Sequence, residues 1–402
     1  MSLAEADVTV PELPRERSGD NLLDGDVALL EGLRREGAGA FEEDCRDLGG
    51  SLGAADVIAA GFDANDTPPQ LVRHDRSGRR VDDLDFHPAW HRLMGLAVEA
   101  GIAGAPWADP RPGAHVARAA RFIMLAQVEA GITCPLAMTY SCVPALRLSP
   151  DAAQRWEPLV TSGVYDPRAI PATEKRGALV GMALTERGGG SDVRAGTVTA
   201  ATPAGDGSWT VDGAKWFVSA AQSDAFFVLA QTTGGLSLIL VPRLDADGAL
   251  NGLRFDRLKD KLGNRSNPTA EVEIAAARGT LVGEEGRGVR AIMAMIGGTR
   301  HDCVLGSAAG RRPGTGRAGP RAARRRASGP ARAARPPTRA GGGDLALESE
   351  AATAGAMRLA RANEQAHAGD AQAELLRRIA APVLKYWTCK RAPQHAAEAL
   401  EC

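Results

Sequence analysis

Met182-Ala183-Leu184-Thr185-Glu186-Arg187-Gly188-Gly189-Gly190-Ser191-Asp192-Val193 marks the point at which this 402-residue chain changes character. Before it, from about 22 to 171, apolar residues recur at three- and four-residue spacing (27–37 and 115–130 are the clearest cases), broken by Pro and Gly, and the spacing predicts helices. After it come six short β-prone runs, at 197–201, 209–211, 215–219, 225–230, 236–241 and 269–274. Asp212-Gly213 falls between two of them and reads as a tight hairpin turn. Six such runs predict a small β-barrel or sandwich. Beyond Gly286 helical spacing returns with Val289, Ile292, Met293 and Ile296, and a last helix carries Leu376, Ile379, Val383 and Tyr386 on one side, with Pro382 as a kink. The expected fold is α+β: a helical domain over 1–180, a β-domain over 181–285 and a helical domain over 286–402.

Length and composition agree with several packed domains. The chain is too long for one compact core, and 44% apolar with 24% charged residues is the balance of a soluble globular protein. Only 17 residues are aromatic, so the core must be built largely from Ala, Leu, Val and Ile. The first twenty residues carry Glu5, Asp7 and Glu12 and no apolar run, so no secretory signal is expected there. The uncharged stretch 130–146 is short for a membrane span and contains Pro135 and Pro144. Six cysteines form no CxxC pair and no His lies at metal spacing, so free thiols in a reducing cytoplasm are expected and no metal site is. The Gly-rich loops lack the strand–GxGxxG–helix setting of a dinucleotide fold. In Arg300-His301-Asp302 the three side chains point different ways around a helix, which argues against an acid–base cluster and places His301 at the surface.

Near-neutral charge conceals one anomaly. Between Arg311 and Arg339 stand ten Arg, seven Ala, five Pro and four Gly, with no acid and nothing apolar larger than Ala. Such a segment cannot bury a helix face, so the low-complexity block 311–343 is expected to interrupt the last domain. Three readings stay open: a local frameshift, since GC-rich codons read out of frame yield these residues; a disordered insert; and a nucleic-acid-binding arm.

The order of elements and four motifs resemble the acyl-CoA dehydrogenase family. The opening stretch is similar to its T-E-x-x-x-G-S-D signature, and Asp212-Gly213-Ala214-Lys215-Trp216-Phe217-Val218-Ser219 to the strand that follows. Lys261-Leu262-Gly263-Asn264-Arg265 and Leu281-Val282-Gly283-Glu284-Glu285-Gly286 match two further landmarks in order. Phe86-His87-Pro88-Ala89-Trp90-His91, Met138-Thr139-Tyr140, the Gly189-Gly190 spelling and Trp387-Thr388-Cys389-Lys390-Arg391 look like its alkylation-response (AidB-like) branch. The likeness covers about 85–307 and resumes at 344.

The resemblance implies FAD as cofactor, oxidation of an acyl-CoA to its enoyl form, an electron-transfer flavoprotein as acceptor, a cytoplasmic setting and a homo-oligomer. It assigns the flavin to Met182, Ala183, Leu184, Thr185, Gly190, Ser191, Trp216, Phe217, Val218 and Ser219, with Trp216 covering one ring face, and the acyl-CoA to Ser191 and Arg300. The family's glutamate base follows a GGxGY segment that would begin where this sequence stops, at Glu401-Cys402; an alternative base position aligns with Gly297 and Gly298. No catalytic residue is therefore assigned. A non-catalytic flavoprotein of the alkylation response, with DNA as a partner, and an inactive fragment are the competing readings.

Overall fold

The computed structural model describes residues 19–324 and 335–401, with no account of the side chains of 317–324 and Pro337. The signal-peptide reading of the N-terminus and the middle of the Arg-rich block lie outside the described residues.

Helices α1 (Val27–Arg35), α2 (Glu42–Gly53) and α3 (Ala55–Asp66) lead to a hairpin of β1 (Gln70–His74) and β2 (Arg80–Asp85). Then come α4 (Pro88–Glu99), α5 (Ala105–Ala108), α6 (Ala114–Val128), α7 (Thr133–Leu146) and α8 (Pro150–Val160). A strand region follows: β3 (Val180–Ala183), the single turn α9 (Val193–Gly196), β4 (Ala200–Pro203), β5 (Trp209–Ser219), β6 (Ala225–Thr232), β7 (Gly235–Pro242), β8 (Leu253–Leu258) and β9 (Thr269–Leu281). Three long helices end the chain: α10 (Gly288–Arg324), α11 (Pro336–His367) and α12 (Ala371–Glu401). Among the described residues no helix is long and apolar enough to cross a membrane.

Strands β6, β4, β5, β9 and β7 pair in a closed circuit, with β3 added to β6 and β8 to β9, so the sheet is a barrel. Strand alternation with both faces buried explains why β6 and β7 read as nearly continuous apolar runs. Phe226, Val228, Ile239 and Val241 join one core with Val211 and Phe255, whereas Phe227, Leu229, Leu238 and Leu240 pack outward with Met138, Leu146, Trp156, Ile292 and Met295. Helices α7, α8 and α10 thus cover one flank of the barrel, and every residue from Ala225 to Ala230 is buried.

Four expectations are corrected. Asp212-Gly213 is no hairpin turn: β5 runs through it, and the irregularity lies in β9, where Val211 pairs with Ala277 and Gly213 with Ile274. The Asp212 carboxylate accepts the Ala276 N–H at 2.8 Å there, and Ala276 has a φ of 52°. His301 is buried, not exposed: its Nδ1 faces the Asn363 amide at 2.9 Å and its Nε2 the Ala356 carbonyl at 3.1 Å. The Arg-rich block does not break the helix at its start. Through Arg324 it continues α10 in spite of Pro313, Pro320 and three glycines, which disfavour helix, and the first two arginines find tertiary partners. Arg311 donates to the Ser307 and Thr388 carbonyls at 2.8 and 2.7 Å, and Arg312 pairs with buried Asp26 at 2.6 Å. On α12, finally, Ile379, Val383 and Tyr386 are 67%, 59% and 69% exposed. Helix α12 instead packs through Ala373, Ala381, Thr388 and His395, small or polar groups that allow close approach to α10 and α11.

Candidate functional site

The opening motif begins as β3, parallel to β6 from Val180 opposite Ala225 to Ala183 opposite Val228. Alternation turns Ala183 into the barrel core and Met182 and Leu184 toward the covering helices. Past the strand, Thr185 stays half-buried, while Gly188 to Asp192 form an exposed turn. Gly189 has a φ of 120°, a conformation that favours glycine. A Cβ on Gly190 would lie 2.7 Å from Thr185 Oγ1, so the missing side chain leaves that hydroxyl an open approach. The Asp192 carboxylate caps α9, accepting from the Arg194 and Ala195 N–H groups at 3.2 and 3.1 Å.

Strand β5 brings the second motif beside the first. The Trp216 N–H donates to the Thr185 carbonyl at 2.8 Å. Between the pairs Lys215–Val272 and Val218–Ala270, β5 has two residues where β9 has only Glu271. This β-bulge is the sort of irregularity that re-aims side chains. Trp216 is half-buried and Phe217 50% exposed, and both rings lie within 4.6 Å of one ammonium, that of Lys259. Val218, in contrast, is buried in the barrel core, so of this expected set it can offer a ligand only backbone. Ser219 is half-buried with its hydroxyl 3.2 Å from Thr269 Oγ1.

Beneath the Thr185–Trp216 contact lies a pair the motif reading passed over. Glu186 and Lys215 each follow or precede a surface-facing residue, and their side chains are 6% and 0% exposed. Lys215 Nζ donates to Glu186 at 2.7 Å and to the Leu229 carbonyl at 2.8 Å. The same carboxylate accepts the N–H groups of Val198 and Thr199 and the Thr199 hydroxyl, at 3.0, 3.1 and 2.7 Å. Burial pushes the Glu186 carboxyl up, but the ammonium and these donors outweigh it and hold it below its ordinary value. A lysine between apolar strand positions was the available signal.

The helical side meets β3 through α7. Thr139 Oγ1 accepts the Val180 N–H at 3.2 Å. Tyr140 is buried, its hydroxyl 2.6 Å from His115 Nδ1 and its carbonyl accepting from Trp107 Nε1 at 2.8 Å. The Arg118 guanidinium lies 3.9 Å from the centre of the Tyr140 ring and forms a buried ion pair with Asp302. Ser141 Oγ is buried, has no hydrogen-bond partner among the described residues and faces α10, where a Cβ on Gly298 would be 2.5 Å from it. Gly297 has open space around it. Arg300, more than three turns into this helix, is half-buried, and among the described residues it forms no ion pair. The Phe86–His91 motif is also packing: Phe86 and Trp90 stack at 4.0 Å, and His91 Nδ1 lies 2.7 Å from the Tyr165 hydroxyl. Among the described residues no cluster of three His, Cys, Asp or Glu could hold a metal.

The structure therefore brings Thr185, Gly190, Trp216 and Phe217 into one neighbourhood: a hydroxyl beside a glycine notch, and two aromatic rings on a bulged strand. Such an arrangement suits a planar ring with polar edges.

Comparison with known proteins agrees with this picture. Residues 13–167 match the family model of the adaptive response protein AidB N-terminal domain, and 181–277 that of the acyl-CoA dehydrogenase middle domain. The chain is 45% identical over 395 residues to the putative acyl-CoA dehydrogenase AidB of Escherichia coli, covering 98% of this chain and 72% of that one. It is 30% identical over 272 residues to acyl-CoA dehydrogenase family member 11 of Caenorhabditis elegans, covering 62% of this chain and 42% of that one. Among solved structures, Caenorhabditis elegans ACDH-11 in complex with C11-CoA superposes with a TM-score of 0.89 at 25% identity, covering 100% of this chain and 70% of that one. Butyryl-CoA dehydrogenase of Megasphaera elsdenii shares the fold, with a TM-score of 0.67 at 18% identity over 93% of this chain and 88% of that one. The chain belongs to the acyl-CoA dehydrogenase family of FAD-dependent flavoproteins, in its AidB-like branch.

Proposed function

We propose that the chain binds FAD at the Thr185–Trp216 junction and handles an acyl-CoA there as a dehydrogenase-family flavoprotein. The observation that carries this reading is the bulge that turns both Trp216 and Phe217 outward beside the Thr185 hydroxyl and the Gly190 notch. Thr185 and Ser219 offer hydroxyls, and the 188–192 turn offers backbone amides, to the polar edges of the cofactor. Met182, Leu184, Ala183 and Val218 hold these groups in place from the core side. Ser191 and half-buried Arg300 are the groups offered to the acyl-CoA. When bound, FAD supplies the hydride acceptor for oxidation at the β-carbon of the thioester.

An α-proton must leave at the same time, and a base works only within hydrogen-bond reach of that carbon. Gly297 and Gly298 supply none, and Ser141 fills the space beside Gly298. We therefore assign no base within this chain. An electron-transfer flavoprotein as acceptor, a homo-oligomer and a cytoplasmic setting follow from family kinship and belong to the same proposal. DNA contact through the Arg-rich block is the second reading, motivated by its ten arginines.

The test is to titrate the flavin-free chain with FAD and then add acyl-CoA without oxygen. Bleaching of the bound flavin supports dehydrogenation. Binding without bleaching supports a non-catalytic AidB-like flavoprotein, and failure to bind FAD overturns the proposal.

A further inference from the structure

Lys259 lies outside every motif, one residue past β8, yet its ammonium is the nearest charge to both rings of the bulge. Its Nζ is 3.6 Å from the centre of Trp216 and 4.6 Å from that of Phe217. Cation–π attraction favours that position, and two bonds fix it. The Lys259 N–H donates to the Thr269 carbonyl at 2.8 Å, and the ammonium pairs with Glu271 at 2.5 Å. Only 13% of the Lys259 side chain is exposed. Glu271 is the single β9 residue opposite Trp216 and Phe217, so one register position creates the outward rings and anchors the charge above them. A second cation approaches from the 185–190 turn, with the Arg187 guanidinium 4.9 Å from the Trp216 centre. This aromatic shelf, two rings sharing one fixed and largely buried positive charge, suits a planar ligand that carries negative charge.

We propose that Lys259 is a cofactor-contacting residue, whose ammonium on the Trp216–Phe217 shelf is the counter-charge that makes this site hold the reduced flavin more tightly than the oxidised one. The proposal rests on the flavin reading above and adds a residue and an electrostatic role to it. Glu271 tempers the effect: it holds the ammonium in place and cancels part of its charge. The two residues should therefore shift the flavin in opposite directions.

The experiment measures FAD affinity and midpoint potential of the reconstituted chain for wild type, Lys259→Met, Lys259→Arg and Glu271→Gln. Tryptophan emission of the flavin-free proteins is recorded alongside, with a Trp216→Phe background to isolate the Trp216 signal. Lys259→Met keeps the stem and loses the charge. We expect a tenfold loss in preference for the reduced flavin, read as a potential about 30 mV more negative, together with a change in Trp216 emission before any flavin is added. Lys259→Arg should keep the wild-type potential, and Glu271→Gln should raise it. A structural role alone does not give shifts of opposite sign. If Lys259→Met binds FAD at the wild-type potential, Lys259 is not a contact and the proposal falls while the flavin site stands. If Lys259→Met does not fold, the sign of the Glu271→Gln shift decides, an unchanged or lowered potential overturning the proposal. A wild-type chain that binds no FAD overturns the flavin site and this assignment together.

Discussion

Replacing Glu186 by alanine removes the acceptor for four donors at once: Lys215 Nζ, the N–H groups of Val198 and Thr199, and the Thr199 hydroxyl. The Lys215 side chain is fully buried, and the Leu229 carbonyl is its other acceptor, so the ammonium would be left without a counter-charge in the barrel wall. Breaking a buried ion pair from one side costs about 3–5 kcal/mol, and each orphaned neutral donor adds about 1 kcal/mol or more where the cavity admits no water. These terms overlap, and we expect a loss of about 4 kcal/mol. Urea unfolding followed by tryptophan emission gives the global value. Hydrogen exchange gives the local one, since about 4 kcal/mol corresponds to roughly a thousandfold faster exchange at the amides that depend on this pairing. Removing both charges should cost much less: Glu186→Gln with Lys215→Met leaves no stranded ion, and about 1–2 kcal/mol is expected. The sign with pH also follows. The Glu186 carboxyl is held below its ordinary value of 4.5, so its contribution is present above that pH and is lost as pH falls through the folded value. A Glu186→Ala variant that loses less than about 1 kcal/mol, or a double variant as unstable as the single, would refute the stranded-charge argument.

Two further predictions concern the helical side. His115 is buried, its ring 5.7 Å from that of exposed His367, and burial, reinforced by cationic neighbours, pushes the His115 imidazole down to about 3. Because the unfolded chain takes up this proton first, stability should fall as pH drops below about 6.5, by up to about 1.4 kcal/mol per pH unit. Replacing His115 by Gln should flatten the acid limb of the unfolding profile between pH 4 and 6. On α10, Gly297→Ala meets open space and should stabilise by about 0.5–1 kcal/mol. Gly298→Ala puts a methyl 2.5 Å from Ser141 Oγ and should destabilise by about 1–3 kcal/mol, so thermal melts of the two variants should move in opposite directions.

Several features could be read without coordinates because they are local or periodic. The change from helical spacing to short apolar runs at Met182, the turn-forming glycines at 188–190 and the return of helical spacing after Gly286 depend on neighbours a few residues away. The motif order carried the family for the same reason, and it named Thr185, Gly190, Trp216 and Phe217, which lie together in the fold. What it could not supply was register. Asp212-Gly213 has the composition of a hairpin turn, yet pairing with β9 carries β5 straight through it. Equal-looking neighbours Phe217 and Val218 part company because one bulge sends the first outward and returns the second to the core. Lys215, Lys259 and His301 all look solvated in a linear reading. Only the fold sets Glu186 against the first, the aromatic shelf against the second, and Asn363 and Ala356 against the third. The physical reason is shared: residue type and spacing fix which faces are apolar, whereas the partner of a buried charge is chosen by strand register and helix packing across tens of residues.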